Sequence, residues 1–375
     1  MSFARTDRSA IAQWWWTVDR WSLLALGVLI AFGTFMIMAA SPAVAEHIHA
    51  GGADGLFFVK RYVAVLPLAL ATLFVASLQS PRNVRRVALA GFVISLILLA
   101  YTLWGGVEIK GARRWISLPG LSLQPSEFVK PTFAVVSAWL FAQYRRHENF
   151  PGHWIAIALY LLVVALLIKQ PDFGMAVVVS AVWFTQFFLA GIRLYWVATG
   201  VATGAAGIIG AYFVLPHVAS RVDRFFDPAA GDSYQIDRSM EAFANGGLWG
   251  RGPGEGTVKE TLPDAHADFV FAVAGEELGL IVCLLIVALF AFIVLRGFSR
   301  LLQENNLFVV LAATGLFVQF GLQAVINMAS SLHLMPTKGM TLPFISYGGS
   351  SLLSLGLAMG MALALTRRRF GGVEA

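Results

Sequence analysis

The chain has 375 residues, 58% of them hydrophobic, with 27 Lys and Arg against 21 Asp and Glu and a formal net charge of +6. Soluble domains carry roughly 45–50% apolar and about 25% charged residues, whereas 13% charge here is too little to cover a water-soluble protein of this length. A soluble enzyme, a disordered chain and a disulfide scaffold are therefore excluded; the one cysteine, Cys283, lies in an apolar run and has no partner in the chain.

Long apolar runs predict membrane spans near 21–41, 57–78, 87–104, 126–143, 153–169, 173–190, 194–215, 268–295, 307–329 and 344–366. Since each crossing takes about 20 residues, the expectation is an all-α polytopic membrane protein with ten transmembrane helices. Residues 1–20 and 367–375 are then terminal segments on one side, 21–366 the membrane domain, and 216–267 a long loop between the seventh and eighth helices. Lys and Arg in the short connections set the orientation. With both termini inside, the inner set is Arg5, Arg8, Arg20, Arg82, Arg85, Arg86, Arg145, Arg146, Arg193, Arg296, Arg300, Arg367, Arg368 and Arg369, which is 14 of 27. The short outer connections hold Lys110, Arg113, Arg114 and Lys338. The positive charge thus reads as an orientation signal, not as a nucleic-acid surface.

Near the first span, Ala43-Val44-Ala45 resembles a signal-peptidase site. The apolar run before it exceeds the 7–15 residues usual in a signal peptide, so retention as a membrane anchor is expected.

Two outer connections are long, 105–125 and 216–267, and the second contains most of the polar chemistry; loops of that length are usually functional. Within it, DSYQIDRSMEAFANGG can hold a short helix lying on the membrane. Ionisable groups near membrane depth are costly and are candidate functional residues. Glu127 and Lys130 share a helical face, either as a self-neutralising pair or as a polar floor on which Lys130 faces an anionic ligand. Lys169, Gln170 and Asp172 mark an outer turn broken by Pro171, with Asp172 either stabilising the turn or facing a ligand. Lys60 and Arg61 can snorkel to the outer interface.

Asp268 precedes the run Phe269-Val270-Phe271-Ala272. It reads either as a helix-terminal carboxylate held by free N–H groups or as a general base at the water–lipid boundary. Glu276 and Glu277, further along the same span, read as partners for buried cations or polar contacts. The run Gly250-Arg-Gly-Pro-Gly-Glu-Gly256 lacks the Lys-Ser/Thr and the βαβ setting of a phosphate loop. Neither zinc spacing nor a Ser/His/Asp order stands out, so no covalent nucleophile is expected.

Several segments together resemble the SEDS family of bacterial cell-wall polymerases. They are Gly111-Ala-Arg-Arg-Trp115, Gln124-Pro-Ser-Glu-Phe-Val-Lys130, Gln170-Pro-Asp-Phe-Gly174 and Gly246-Gly-Leu-Trp-Gly-Arg-Gly-Pro-Gly254. Leu262-Pro-Asp-Ala-His-Ala-Asp-Phe269, Glu276-Glu-Leu-Gly279 and Pro343-Phe-Ile-Ser-Tyr-Gly-Gly-Ser-Ser351 complete the set, in family order from 111 to 351. Trp14-Trp-Trp-Thr-Val-Asp-Arg20 and the form of the Pro343 motif are closer to the division branch than to the elongation branch. Ala267 and Asp264 depart from the Thr and Glu common there, and neither changes Asp268.

The resemblance implies a peptidoglycan glycosyltransferase that polymerises lipid II, a disaccharide-pentapeptide on undecaprenyl diphosphate, into β-1,4 glycan at the outer face of the bacterial cytoplasmic membrane, at the division septum. Asp268 matches the family's essential aspartate, and Glu127 and Lys130 match a functionally important pair. Arg113, Arg114, Lys169, Asp172, His266, Ser346 and Ser350 are the further candidate substrate contacts. A divalent cation, Mg or Mn, bridging Asp268 and the diphosphate is expected; an organic cofactor is not. A class B penicillin-binding protein transpeptidase and other division-machinery membrane proteins are the implied partners. The rival reading is a lipid II flippase, for which inverted repeats and midplane polar groups would be expected; no clear repeat is present.

Overall fold

The computed structural model describes residues 9–48, 57–109, 111–118, 121–147, 149–191, 194–226, 234–336 and 339–368. Of the charges used for orientation, Arg5, Arg8, Lys110, Arg193, Lys338 and Arg369 lie outside the described residues. A short helix α1 (Ala10–Thr17) precedes α2 (Arg20–Ile48), α3 (Phe57–Ser77) and α4 (Pro81–Gly105). Three strands follow, β1 (Val107–Ile109), β2 (Ala112–Leu118) and β3 (Leu121–Leu123), then α5 (Pro125–Arg146), α6 (Gly152–Lys169), α7 (Phe173–Leu189) and α8 (Leu194–Val214). Segment 216–267 carries α9 (Pro216–Phe226), α10 (Tyr234–Gly246) and α11 (Val258–Thr261), ahead of α12 (Val270–Leu301), α13 (Leu307–Ser331) and α14 (Gly349–Leu365).

Each apolar run overlaps a helix, the one over 268–295 being broken at Gly279. Six segments, Arg20–Ala40, Phe57–Ser77, Pro81–Gly105, Gly152–Lys169, Val270–Leu301 and Leu307–Ser331, are long and apolar enough to cross a membrane. Helices α5, α13 and α14 are buried over most of their circumference and form the centre of the bundle; α13 and α14 are apolar nearly all round, whereas α5 buries Glu127 and Lys130 as well. Close packing of α14 on α3 depends on Gly356 and Gly360, whose missing Cβ atoms would lie 2.6 and 2.5 Å from the carbonyl oxygens of Ala69 and Leu73, a small-xxx-small contact. At the end of the bundle where the chain begins, buried Asp19 accepts from Arg296 at 2.6 and 2.8 Å and pairs with Arg300 at 3.1 Å, tying the start of α2 to the end of α12.

Two features depart from a simple chain of spans. The connection after α4 is not irregular loop: β1, β2 and β3 form an antiparallel sheet, with Leu118 paired to Leu121. The expected single span 268–295 is interrupted, because Gly279 adopts φ 79°, ψ 179° inside α12. Before the break, Val270–Glu277 is wholly buried; after it, Leu280, Leu284 and Leu285 are exposed like a lipid-facing helix. The glycine run fills this gap. Arg251 and Gly252 donate backbone N–H groups to the Glu276 and Glu277 carbonyls at 2.9 Å, and Leu280 donates to Gly247 at 2.9 Å. A broken helix is tolerated where such contacts re-satisfy its backbone.

Candidate active site

Glu276 and Glu277 cap that junction. The Glu276 carboxylate accepts from the backbone N–H of Thr257 at 3.0 Å and of Val258 at 3.1 Å, while Glu277 pairs with Lys259 at 2.6 Å. Both are fully buried, which fits the reading of partners for cations and polar contacts. The stretch Pro263–Asp268 is a tight turn, in which Ala267 and Asp268 donate to the Asp264 carbonyl at 3.0 and 2.9 Å.

That turn forms one wall of a cavity of about 660 Å³. The starts of α5, α7 and α14 reach it through Glu127, Asp172 and Ser351, and the sheet contributes Arg114. Asp268 and His266 face it together with Asp264. Helix N-termini carry partial positive charge from unsatisfied N–H groups; three of them reach this cavity beside Arg61 and Arg114, and Glu127, Asp172, Asp264 and Asp268 bring four carboxylates to the same lining.

Asp268 is positioned from behind by α13. Asn327, fully buried, donates through Nδ2 to the Asp268 carbonyl at 2.9 Å and to the Met340 carbonyl at 2.6 Å. Four residues earlier, Gln323 donates to the Thr341 carbonyl at 3.0 Å and accepts from Lys130 Nζ at 2.9 Å. One face of one helix therefore holds both the aspartate segment and the lysine. A Cβ on Gly339 would stand 2.7 Å from Asp268 Oδ2, so the opposite wall is as close as glycine permits.

The remaining candidates fall into distinct places. Glu127 lines the cavity and pairs with Lys130 at 2.9 Å; Lys130 lies deeper, 3% exposed, and its ammonium meets Gln323 instead of the cavity. Asp172 lines the cavity and caps α7 by accepting from the Met175 N–H at 3.3 Å, which is the turn-stabilising arrangement. Arg114 reaches Asp172 at 3.7 Å and donates to the Gln170 carbonyl at 3.0 Å and to the Pro171 carbonyl. Arg113 is exposed and pairs with Glu108 at 3.2 Å, away from the cavity; adjacent strand residues point to opposite faces. Lys169 is exposed at the end of α6 and does not line the cavity. Ser346 accepts from the Leu342 N–H at 2.8 Å, and Ser350 links α14 to the sheet by donating to the Ser122 carbonyl at 2.9 Å and accepting from the Gln124 N–H at 3.0 Å. Both are buried framework groups behind the cavity wall.

His266 packs between Phe58 and Tyr347, with ring centroids 4.5 and 5.2 Å away. Burial lowers its pKa from 6.5 to about 4, against the opposing charge of Asp264, so it is neutral near pH 7. Arg61, read from sequence as snorkelling, lines the cavity and hydrogen-bonds the Tyr347 hydroxyl. Asp264, Gln235, Thr341 and Tyr347 also line it without having been singled out. The alternation Asp264-x-His266-x-Asp268 was the available signal for the first.

Comparison with known proteins places this arrangement. Residues 20–370 match the family described as Cell cycle protein, FtsW/RodA/SpoVE. A probable peptidoglycan glycosyltransferase FtsW of Caulobacter vibrioides (strain NA1000 / CB15N) is 44% identical over 374 residues, covering 100% of this chain and 95% of that one. The protein of the same name from Coxiella burnetii (strain RSA 493 / Nine Mile phase I) is 36% identical, covering 93% and 96%. Among solved structures, a chain described under structural coordination of polymerization and crosslinking by a peptidoglycan synthase complex superposes with TM-score 0.76 at 27% identity, covering 93% of this chain and 97% of that one. Rod shape determining protein RodA of Thermus thermophilus gives TM-score 0.69 at 27% identity, covering 94% and 97%. Matched over nearly its whole length in both sequence and fold, this chain belongs to the FtsW/RodA/SpoVE family, the SEDS proteins.

Proposed function

We propose that this chain is the division-type peptidoglycan glycosyltransferase, polymerising lipid II into β-1,4 glycan at the outer face of the bacterial cytoplasmic membrane, with ten spans and both termini inside. The observation that carries the reading is Asp268, a carboxylate in the wall of a cavity that also presents Arg61 and Arg114. The names of the relatives and the synthase complex among the structural neighbours support it.

In the reaction, the 4-hydroxyl oxygen of the acceptor sugar attacks the anomeric carbon of the donor. The new C–O bond forms as the bond to the diphosphate breaks, and the diphosphate leaves with the electron pair. Asp268 takes the hydroxyl proton as general base. A single displacement inverts the α-linked donor to a β-glycan, so no covalent nucleophile is needed. Arg61, Arg114 and the converging helix N-termini stabilise the departing negative charge electrostatically. Glu127 and Lys130 form the polar floor, with Lys130 acting through Glu127 and Gln323. Neutral His266 shapes the wall and fixes the turn that carries Asp268.

Among the described residues no three His, Cys, Asp or Glu side chains assemble as a metal cage. Mg or Mn carried on a diphosphate needs only one or two protein carboxylates, and the oxygen donors facing the cavity suit such a hard cation. Asp268 would hold it together with phosphate oxygens, and the ion would neutralise charge on the leaving group. A class B penicillin-binding protein transpeptidase and other division-machinery membrane proteins are the proposed partners. The neighbouring synthase complex, whose description couples polymerization with crosslinking, supports the transpeptidase.

The test separates polymerase from flippase. Purified chain with its transpeptidase, in detergent where no two compartments exist, should convert labelled lipid II into glycan strands. Lipid translocation in vesicles without any glycan product under either condition would overturn the proposal.

A further inference from the structure

At the opposite end of α4 and α5 from the cavity, a second opening has no part in the chemistry above. It is a groove of about 550 Å³ between Arg85, Arg86 and Leu89 of α4, Trp139 and Gln143 of α5, and Phe150. Through Arg85, Trp139 and Gln143 it continues into a narrower cleft bordered by Arg82, Arg146 and Asn306. Along α5, Glu127 and Gln143 are separated by roughly 24 Å at 1.5 Å per residue, so this groove and the catalytic cavity lie at the two ends of one helix.

The groove is basic on one side and apolar on the other. No carboxylate lines it or the cleft among the described residues; Glu304 stands behind, accepting from the Asn306 N–H at 3.0 Å. Arg145, beside it in sequence, is engaged by the Ala190 and Gly191 carbonyls. Arg85 lies over the Trp139 ring at 5.5 Å, and Arg86 and Arg146 are exposed and enter no ion pair among the described residues. The indole N–H of Trp139 is buried without a hydrogen-bond partner, although such donors are normally satisfied.

The apolar side does not end at the groove. Leu89, Val93 and Ile97, spaced four residues apart on α4, are 41, 48 and 63% exposed and run up the helix from the arginines as one hydrocarbon track. Trp154, 60% exposed, stands near the same level at the start of α6, where aromatic side chains mark a membrane interface. A positive-inside bias accounts for arginines at this end of the bundle. It does not account for a walled groove between α4 and α5 with an exposed apolar track leading out of it.

We propose that this groove binds the phosphodiester headgroup of an anionic phospholipid, with Arg85, Arg86 and Arg146 around the phosphate and an acyl chain along Leu89, Val93 and Ile97. Basic pockets between helices at this depth suit acidic headgroups, and the track selects a lipid over a free phosphate.

The experiment uses full-length purified chain in detergent and brominated phospholipids, which quench nearby tryptophan. The difference between wild type and Trp139→Phe isolates the local signal. Brominated phosphatidylglycerol should quench that component at a concentration at least about fivefold lower than brominated phosphatidylcholine, and each of Arg86→Gln and Arg146→Gln should reduce the preference by about that factor. Inorganic phosphate should not compete. Equal quenching by the two lipids would overturn the proposal and leave the arginines as orientation signals. Full competition by inorganic phosphate would overturn it in favour of a soluble anion site. Should Arg86→Gln or Arg146→Gln fail to fold, the headgroup preference of the Trp139 component, wild type minus Trp139→Phe, still decides, read as the ratio of quenching by the two brominated lipids. Glycan synthesis does not enter the readout, so failure here leaves the polymerase reading untouched.

Discussion

Replacing Asn327 tests how the aspartate segment is held. Its amide donates to the Asp268 and Met340 carbonyls at 2.9 and 2.6 Å from a fully buried position. Asn327→Leu keeps roughly the same size and removes both donors. Each carbonyl left buried without a partner costs roughly 1–3 kcal/mol, so the unrelaxed loss for the two is about 2–6 kcal/mol. The chain can recover part of this by moving the segment toward other donors, but Asp268 then moves with it. A displacement near 1 Å in a reacting group costs about 100-fold in rate. The expected result is therefore a lower thermal midpoint together with about a 100-fold slower polymerisation of labelled lipid II. Gln319→Leu, on the same helix and equally buried, is the control: it removes a polar group without touching the segment and should polymerise normally. Asn327→Leu protein that folds and works at the wild-type rate would refute the argument that α13 positions Asp268.

Further outcomes follow from the same geometry. Gly279→Ala places a Cβ 2.4 Å from the Leu248 carbonyl and forces a side chain onto φ 79°; strain of this kind costs about 1–3 kcal/mol before the clash is added, so thermal unfolding should drop and an unchanged midpoint would contradict the break in α12. His266 is held neutral with its pKa near 4 against 6.5 unfolded. Between these values the unfolded chain binds the extra proton, so stability falls as pH drops from about 6.5 to about 4, by up to ~3 kcal/mol; thermal midpoints against pH should show this slope in wild type and lose it in His266→Phe. Lys130→Met leaves Glu127 buried without its cation at a cost of about 3 kcal/mol, while Lys130→Met with Glu127→Gln should regain part of that stability in a double-variant comparison.

The long helices were legible because lipid-facing and buried helices alike are written as apolar runs, and each such run overlaps a helix. Helix α10 was likewise visible in the stretch ending Asn245-Gly246-Gly247. The break in α12 was not: a glycine inside Glu276-Glu-Leu-Gly-Leu280 gives no periodicity signal, and its cause is a contact with Gly247–Gly252 from a separate segment. The sheet was missed because β1 and β3 have only three residues each and β2, Ala-Arg-Arg-Trp-Ile-Ser-Leu, does not alternate apolar with polar along its length. In the site, Asp268 and Glu127 were readable as charges beside apolar runs. Arg61 was not, since a cation at a helix start looks the same whether it snorkels to lipid or turns into a cavity. Lys130 illustrates the reverse: its charge drew attention, but only the fold reveals that Gln323 and Glu127 surround it. Asn327 carried no charge and no motif, so its place behind Asp268 required the tertiary structure.

The most direct test of the account is lipid II polymerisation by the purified chain with its transpeptidase, comparing wild type with Asp268→Asn and repeating the wild-type reaction with a chelator. A positioned general base contributes about 10²- to 10⁴-fold, so Asp268→Asn should lose activity by that factor while keeping the wild-type thermal midpoint; loss of wild-type activity on chelation, restored by Mg or Mn, would extend the account to the proposed cation. Glycan strands produced by folded Asp268→Asn protein at the wild-type rate would contradict it.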